Sequence, residues 1–451
     1  MQREREATKS KKPPGKQADK LRAHTYPAQA FDAMQYFYGD VQPPRIRCHI
    51  RFTGRVNVPA LRGAMEACQS AHPLLGCVFH PGRHRWEAAE PAAPAPLREL
   101  EQPDEASVQQ CLLSPLDETC EPQWKLFLIH LPDGDELCVI INHMVCDGAG
   151  FKEVLYELAE NYSRILAGGK LLPCPEAPDS RRFSRLLRTL GLRGRLRVLL
   201  SPAHPFKRLA PPLLPYRGGP GYPVLILKRL PPEQFSAVRR YAHAADASVN
   251  DVLLTAYLRA LHTVTGRDEV AVPCPVDLRR FAAPGQTFGL CNLTGNYWCR
   301  LTLSVSEPFD VSLKRVSGQM RAQKNSVACL KEPMLFHALY GVIPFALLHK
   351  LFRRMGGVPV TSYSNLGVLN EERLCFAGCE IADTYLATAV KRPPYYQLSL
   401  STWRNVCTLS SCVDASEEDI VLIKNFYEFI TDELNIMWEY NHKNKQPGKA
   451  L

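Results

Sequence analysis

His143-Met144-Val145-Cys146-Asp147-Gly148 decides how this chain is read. The apolar run before it, Leu137-Cys138-Val139-Ile140-Ile141, reads as a buried strand. After it, Phe151, Val154, Leu155, Leu158, Tyr162 and Ile165 recur at helical spacing. The histidine therefore stands where a strand gives way to a loop and then to a helix. An imidazole held there can present a near-neutral pKa to a ligand, while Asp147 is at hand to fix the local structure or cap the helix. Gly148 beside it permits close approach of the backbone. A lone histidine at a strand end is more often a hydrogen-bonded structural residue, so the surrounding segments carry the argument.

Outward from that stretch, Arg45 to Phe52 alternates like a strand, and Gly54-Arg55-Val56-Asn57-Val58-Pro59-Ala60-Leu61 leads into a helix. Ser70-Ala71-His72-Pro73-Leu74-Leu75 closes that helix before a second strand. Far downstream, Ser248 is placed to cap a helix whose stripe is Leu254, Tyr257, Leu258, Leu261 and Val264. Glu269-Val270-Ala271-Val272-Pro273 then reads as a strand delivering Asp277 and Arg279. Strand patterns dominate the remainder, at 293–303, 379–386, 396–402 and 406–413, and a last helix spans 417–438.

The order His-x-x-x-Asp-Gly, strand before and helix after, resembles the signature of the chloramphenicol-acetyltransferase-like acyltransferases. That superfamily includes peptide-synthetase condensation domains, alcohol acetyltransferases and wax-ester synthases. Segments 45–75 and 244–254, Pro275-Val276-Asp277-Leu278-Arg279-Arg280 and Ser362-Tyr363-Ser364-Asn365-Leu366-Gly367 fall in the order the superfamily shows, so the resemblance covers roughly residues 25–440. It implies an α/β fold of α+β type: two chloramphenicol-acetyltransferase-like lobes, each a mixed sheet with helices, and a tunnel between them. The expected organisation is a basic tail at 1–24, an N-terminal lobe at 25–170, a connection at 171–222 and a C-terminal lobe at 223–451.

The same resemblance implies acyl transfer from a thioester, acyl-CoA or a phosphopantetheine-linked group on an acyl carrier protein, to an alcohol or amine. His143 would be the general base. The motif aspartate is usually structural, which here would pair Asp147 with Arg279. Gly148, through its backbone N–H, and Ser364 or Asn365 from the facing lobe are candidates to bind substrate and its developing oxyanion. Many members carry two adjacent histidines, whereas the first position here is Asn142, which is expected to support the site. That departure keeps a second expectation open, a non-catalytic member that binds a ligand or partner in the tunnel. The Asp-Phe-Gly-Trp-Gly segment of the plant branch is absent.

At 451 residues, 45% apolar and 22% charged, the chain suits two sizeable cores. The formal charge of +10 owes much to the first 24 residues, where eight basic residues face three acidic ones and no apolar pattern exists. Without interleaved aromatics such a tail does not argue for nucleic acid. The connection is thick with Pro and Gly. Inside it, Phe183, Leu186, Leu187, Leu190, Leu196 and Leu199 alternate with seven arginines, which reads as a short amphipathic helix or pair of turns. The expectation is a crossover laid on the first lobe with its arginines in water. Peripheral membrane contact through 181–200, coenzyme phosphates or an acidic carrier protein are the alternatives.

The first residues lack the apolar core of a secretory signal and no stretch reaches membrane-spanning length, so a cytoplasmic location is expected. Sixteen dispersed cysteines, several in strand-like runs, read as reduced, buried thiols. Cys375-x3-Cys379 has no second ligand pair, and no metal or bound cofactor is expected. No Gly-x-Ser-x-Gly elbow, phosphate loop or dinucleotide fingerprint occurs.

Overall fold

The computed structural model describes residues 25–39, 41–90, 96–101, 105–172, 181–202, 213–304, 306–354 and 360–443. The tail at 1–24 and the stretches 173–180 and 203–212 of the connection lie outside them. In chain order the first part runs β1 (Tyr26–Pro27), α1 (Ala30–Tyr38), β2 (Arg45–Phe52), α2 (Val58–Ala71), β3 (Cys77–His80), β4 (Arg85–Ala88), β5 (Leu97–Glu101), α3 (Glu105–Leu113), β6 (Trp124–Leu131), β7 (Gly134–Asn142) and α4 (Gly148–Leu166). Next come α5 (Phe183–Thr189) and α6 (Gly191–Leu200). The rest is β8 (Tyr222–Leu230), α7 (Pro232–Ala244), α8 (Val249–Thr265), β9 (Glu269–Asp277), β10 (Thr294–Thr302), α9 (Phe309–Lys324), α10 (Lys331–Tyr340), α11 (Phe345–Arg354), β11 (Thr361–Val368), β12 (Ile381–Ala387), β13 (Tyr396–Trp403), β14 (Val406–Ala415) and α12 (Glu417–Lys443).

Two mixed sheets organise the molecule: β12-β2-β7-β6-β5 in the first lobe and β11-β13-β14-β8 in the second, with β9 and β10 as a separate antiparallel pair. β7 is central in the first sheet and buried along its whole length. This explains its unbroken apolar run. Its period of two sends Leu137, Val139 and Ile141 into a core with α2 and α4, and Cys138 and Ile140 into a second layer with Leu225 of β8 and Cys412 of β14. Each lobe thus packs on one face of this strand, and the strand's end reaches the seam. The tight turn feeding β7 uses Gly134 at φ +149°, where a Cβ would overlap the Phe52 carbonyl oxygen.

The second lobe's main helix starts as its sequence suggests. Ser248 Oγ accepts the Asp251 N–H at 3.1 Å, and the Asp251 carboxylate accepts the Ser248 N–H at 3.0 Å. The stretch 304–360 contributes three helices, α9 to α11, to a half that the sequence pattern presents as mostly strand.

The lobes interlock. β12, from the part read as the C-terminal lobe, pairs antiparallel with β2 in the first sheet, Thr384 opposite Ile50 and Leu386 opposite Cys48. Phe345 and Leu348 of α11 enter the first lobe's core, and Phe31 of α1 enters the second's. The connection departs from its expected place: Phe183, Leu186, Leu187 and Val198 of α5 and α6 are buried in the second lobe's core. Nor are its arginines all in water, since Arg181 is buried and pairs with Asp32 at 3.0 Å. Enclosing those four side chains within a core removes more apolar surface from water than laying them on the outside of one lobe would.

Among the described cysteines, Cys120 and Cys375 are exposed and the others are buried free thiols. Among the described residues no helix is long and apolar enough to cross a membrane.

Candidate active site

The turn that presents His143 is built by its neighbour. Asn142 is fully buried; its Nδ2 donates to Gln123 Oε1 at 2.9 Å, and its Oδ1 accepts the Met144 N–H at 2.9 Å. The His143 N–H donates to the Pro44 carbonyl at 2.8 Å, extending the β2–β7 ladder by one residue. The amide therefore bends the backbone just after β7 and holds the next side chain outward.

Asp147 caps α4 and joins the lobes with the same carboxylate. Oδ1 accepts the Gly150 N–H at 2.9 Å, while Oδ2 accepts the Leu293 N–H at 2.7 Å and Arg279 Nη1 at 2.7 Å. Arg279 also reaches Asp277 Oδ1 at 3.0 Å and the Cys291 carbonyl at 2.8 Å. Burial alone would raise the Asp147 carboxyl; the Arg279 charge and these hydrogen bonds outweigh it and leave the group below its ordinary range. Burial likewise disfavours charge on Arg279, and Asp147 more than restores it.

His143 is half-buried, and its Nδ1 side faces Asn292, whose Nδ2 lies 3.0 Å from Nδ1 and 3.2 Å from the His143 carbonyl oxygen. The donor and acceptor roles at Nδ1 follow the tautomer of the ring, and at the other end of the amide Oδ1 lies 3.1 Å from the Thr294 N–H. Among the described residues Nε2 has no hydrogen-bond partner, and the ring lines a cavity. Burial lowers the imidazole pKa; the carbonyls of His143 and Cys146 and the Asp147 charge oppose this without overcoming it. The net effect favours the neutral form of the ring.

The cavity lies between the lobes and holds about 410 Å³. His143, Gly148 and Lys152 line it from the first lobe, and Ser364, Asn365 and Lys391 from the second part of the chain. Gly148 keeps the seam narrow, since a Cβ there would stand 3.0 Å from Leu366 Cδ2. Gly148 and Ala149 begin α4, so their N–H groups have no partner within the helix, while Asp147 takes that of Gly150. Ser364 is buried in β11 at the cavity wall. Asn365 has both ends of its amide committed, Oδ1 to the Gly367 N–H at 2.9 Å and Nδ2 to Asn250 Oδ1 at 2.8 Å. It braces the Leu366-Gly367 turn that faces Gly148.

Sequence reading singles out neither Asn292 nor Lys391. Asn292 offers one faint signal, a polar residue between the apolar Cys291 and Leu293 at a strand entrance. Lys391 offers none, since Lys391-Arg392-Pro393-Pro394 reads as an exposed turn. Among the described residues no cluster of three or more His, Cys, Asp or Glu is gathered as metal ligands.

No family model matches the chain. Over 346 residues it is 23% identical to a mycosubtilin synthase component of Bacillus subtilis, covering 70% of this chain and 12% of that protein. Over 292 residues it is 25% identical to beauvericin nonribosomal cyclodepsipeptide synthetase of Beauveria bassiana, covering 59% of this chain and 9% of that one. The chain thus spans about a tenth of the length of these relatives. Among solved structures, the first condensation domain of the calcium-dependent antibiotic synthetase, in complex with a substrate analogue, superposes with a TM-score of 0.66 at 18% identity, covering 91% of this chain and 97% of that one. The fold is that of a condensation domain. Polyketide synthase associated protein 5 from Mycobacterium tuberculosis matches this condensation fold with a TM-score of 0.64 at 17% identity, over 92% of this chain and 96% of that one. The condensation domain of monacolin K polyketide synthase does so with a TM-score of 0.64 at 14% identity, over 92% and 97%. The condensation fold is a form of the two-lobe, chloramphenicol-acetyltransferase-like architecture. In this chain the segment beginning at His143 sits at the seam of the lobes.

Proposed function

We propose that this protein is an acyltransferase that moves an acyl group from a thioester to an alcohol or amine, with His143 as general base. The observation that carries the reading is the His143 ring lining a cavity at the lobe seam, with no hydrogen-bond partner for Nε2 among the described residues. For the ring to act as base its neutral form carries the proton on Nδ1, so that the acceptor's O–H or N–H hydrogen-bonds to Nε2 and loses its proton to it as the acceptor attacks the thioester carbonyl. The proton gained leaves an imidazolium, which the His143 and Cys146 carbonyls and the Asp147 charge favour. The oxyanion formed at the carbonyl is met by the Gly148 and Ala149 N–H groups, which have no partner within α4, and the helix dipole adds to them. Collapse breaks the carbon–sulfur bond, and the departing thiolate takes the proton back from the imidazolium. Base catalysis of this kind contributes roughly two to four powers of ten in rate.

The donor is acyl-CoA or an acyl group on a carrier protein's phosphopantetheine arm, and the protein itself holds no resident cofactor in this reading. Asn142, where a first histidine stands in many members, supports the site through the backbone and not through the substrate. Mass-spectrometric screening of the purified protein with a panel of acyl-CoAs, acyl-loaded carrier proteins, alcohols and amines tests the proposal. Transfer abolished in His143→Ala, with unchanged circular dichroism, is the expected result. Turnover retained in that variant refutes the base assignment, and no transfer with any combination favours a binding protein that has kept the fold.

A further inference from the structure

We propose that Lys391 forms a carboxylate-reading subsite in the interlobe cavity: the acyl group or the acceptor carries a carboxylate that ion-pairs with the Lys391 ammonium. The proposal rests on the acyl-transfer reading of the same cavity and specifies its substrate class.

Lys391 is 5% exposed and lines the cavity, and the hydrogen bond of its Nζ goes to a neutral acceptor, Gln42 Oε1. Two other buried cations near the seam have acidic partners, Arg279 with Asp147 at 2.7 Å and Arg181 with Asp32 at 3.0 Å. Among the described residues no carboxylate stands within ion-pair distance of Lys391. Lys152, the other lysine on the cavity wall, has Glu153, Asp277 and Asp147 in its surroundings.

The backbone of Lys391 is fixed. Its N–H donates to the Cys412 carbonyl at 2.8 Å and its carbonyl accepts the Asp414 N–H at 2.7 Å, which rivets the residue alongside β14. Behind it Arg47, also buried, spends its guanidinium on the carbonyls of Leu112 at 2.5 Å, Thr388 at 2.7 Å and Arg45 at 3.4 Å. A fixed, buried amine without an acid is costly for the empty protein. A ligand carboxylate relieves that cost. The phosphates of a pantetheine-borne donor are the other source of anionic oxygen, but they lie a full arm's length from the thioester. Lys391 is close enough to His143 to lower its proton affinity, so it belongs to the reacting end.

Burial pushes the Lys391 amine down to about 7. Below that pH the amine is charged and attracts a carboxylate; above it the amine is neutral and the attraction fades. The groups around it do not blur this. Burial holds His143 neutral from below, and it raises Tyr38 of α1 and the Cys412 thiol of β14, which also stay neutral. The Asp414 carboxylate is turned to Arg392 at 3.2 Å, and Arg47 of β2 shares the neighbourhood of Cys412 with Lys391.

The test measures binding to the full chain by ligand-observed NMR with two probe pairs, glutaryl-CoA against valeryl-CoA and 4-hydroxybutyrate against 1-butanol, with coenzyme A as a control. At pH 6.5 the carboxylate member of one pair is expected to bind about tenfold tighter than its neutral partner, and Lys391→Met should erase that preference. Between pH 6.5 and 8.5 the wild-type preference should fall from about tenfold to almost none, as the protonated fraction of an amine with a pKa of about 7 drops about twentyfold. The pH series needs no variant and stands even if Lys391→Met fails to fold. His143→Ala should keep the preference while losing transfer, which separates this proposal from the catalytic one. No preference in either pair, a preference indifferent to pH or surviving in Lys391→Met, or a Lys391 dependence already present with coenzyme A alone overturns the assignment.

Discussion

Asp147→Asn preserves the shape of the clamp and removes its charge. The wild-type carboxylate accepts three donors, Gly150 N–H at 2.9 Å on one oxygen, and Leu293 N–H and Arg279 Nη1, both at 2.7 Å, on the other. An amide has one accepting oxygen. If that oxygen keeps the helix cap, the amide N–H groups confront two donors; if it turns to the second lobe, the cap is lost. Breaking a buried ion pair costs about 3–5 kcal/mol. Arg279 retains Asp277 and the Cys291 carbonyl, which places the expected loss near the lower end, about 3 kcal/mol. With an unfolding entropy of about 2.1 cal/mol/K per residue, 451 residues give roughly 0.95 kcal/mol/K, so Tm should drop by about 3 °C at pH 7. Scanning calorimetry reads this directly. The sign with pH is fixed: the carboxyl sits below its ordinary range when folded, so the pair's contribution is complete above about pH 4 and fades as pH falls further. The gap between wild type and variant should therefore narrow toward pH 3. A Tm within about 1 °C of wild type at pH 7, together with lost transfer, would mean that Asp147 acts on the reaction and not on the clamp.

The acid limb of the transfer rate should have its midpoint below the ordinary histidine value of about 6.5, because burial lowers the His143 pKa; a midpoint above that value contradicts the assignment. Asn292→Asp places a negative charge against Nδ1 and should move that limb upward by about one to three pH units, whereas a residue that merely packs would leave it in place. Gly134→Ala forces a Cβ onto the Phe52 carbonyl at a positive φ and should cost about 2–4 kcal/mol in urea unfolding; unchanged stability would show that the turn relaxes freely. Asn142→His puts a larger ring into a fully buried position, and we expect a loss of about 1–3 kcal/mol with no gain in rate; faster transfer would show that the first histidine contributes chemistry.

Legibility in the sequence tracks locality. The strand, turn and helix around His143 and the cap at Ser248 depend on neighbours a few residues away, so periodicity and residue type announce them. The ion pair between Asp147 and Arg279 spans 132 positions and is visible only through the order of segments in a known family. Asn292 and Lys391 depend on tertiary burial. Nothing in Asn292-Leu293-Thr294 says that the amide will face an imidazole, and Lys391 looks like a surface residue until β12 carries its segment into the seam. The pattern at 379–386 is legible as a strand, but the alternation that marks it carries no information about which sheet receives it. The seating of α5 and α6 against the second lobe, not the first, escapes the sequence for the same reason: an amphipathic stripe declares that it will be covered, not by what.

The crossing of β12 onto β2 has a bearing on how ligands get in. A chain severed after α6 would leave β2 as an open edge, with Cys48 and Ile50 unpartnered on that side and ready to recruit foreign strands. The same stitch ties a segment from the C-terminal part of the chain to the first sheet through a ladder of backbone hydrogen bonds. If the protein transfers acyl groups as proposed, its reactants meet in a cavity beside this stitched seam, and the hold of β12 on β2 bears on how far that cavity can widen.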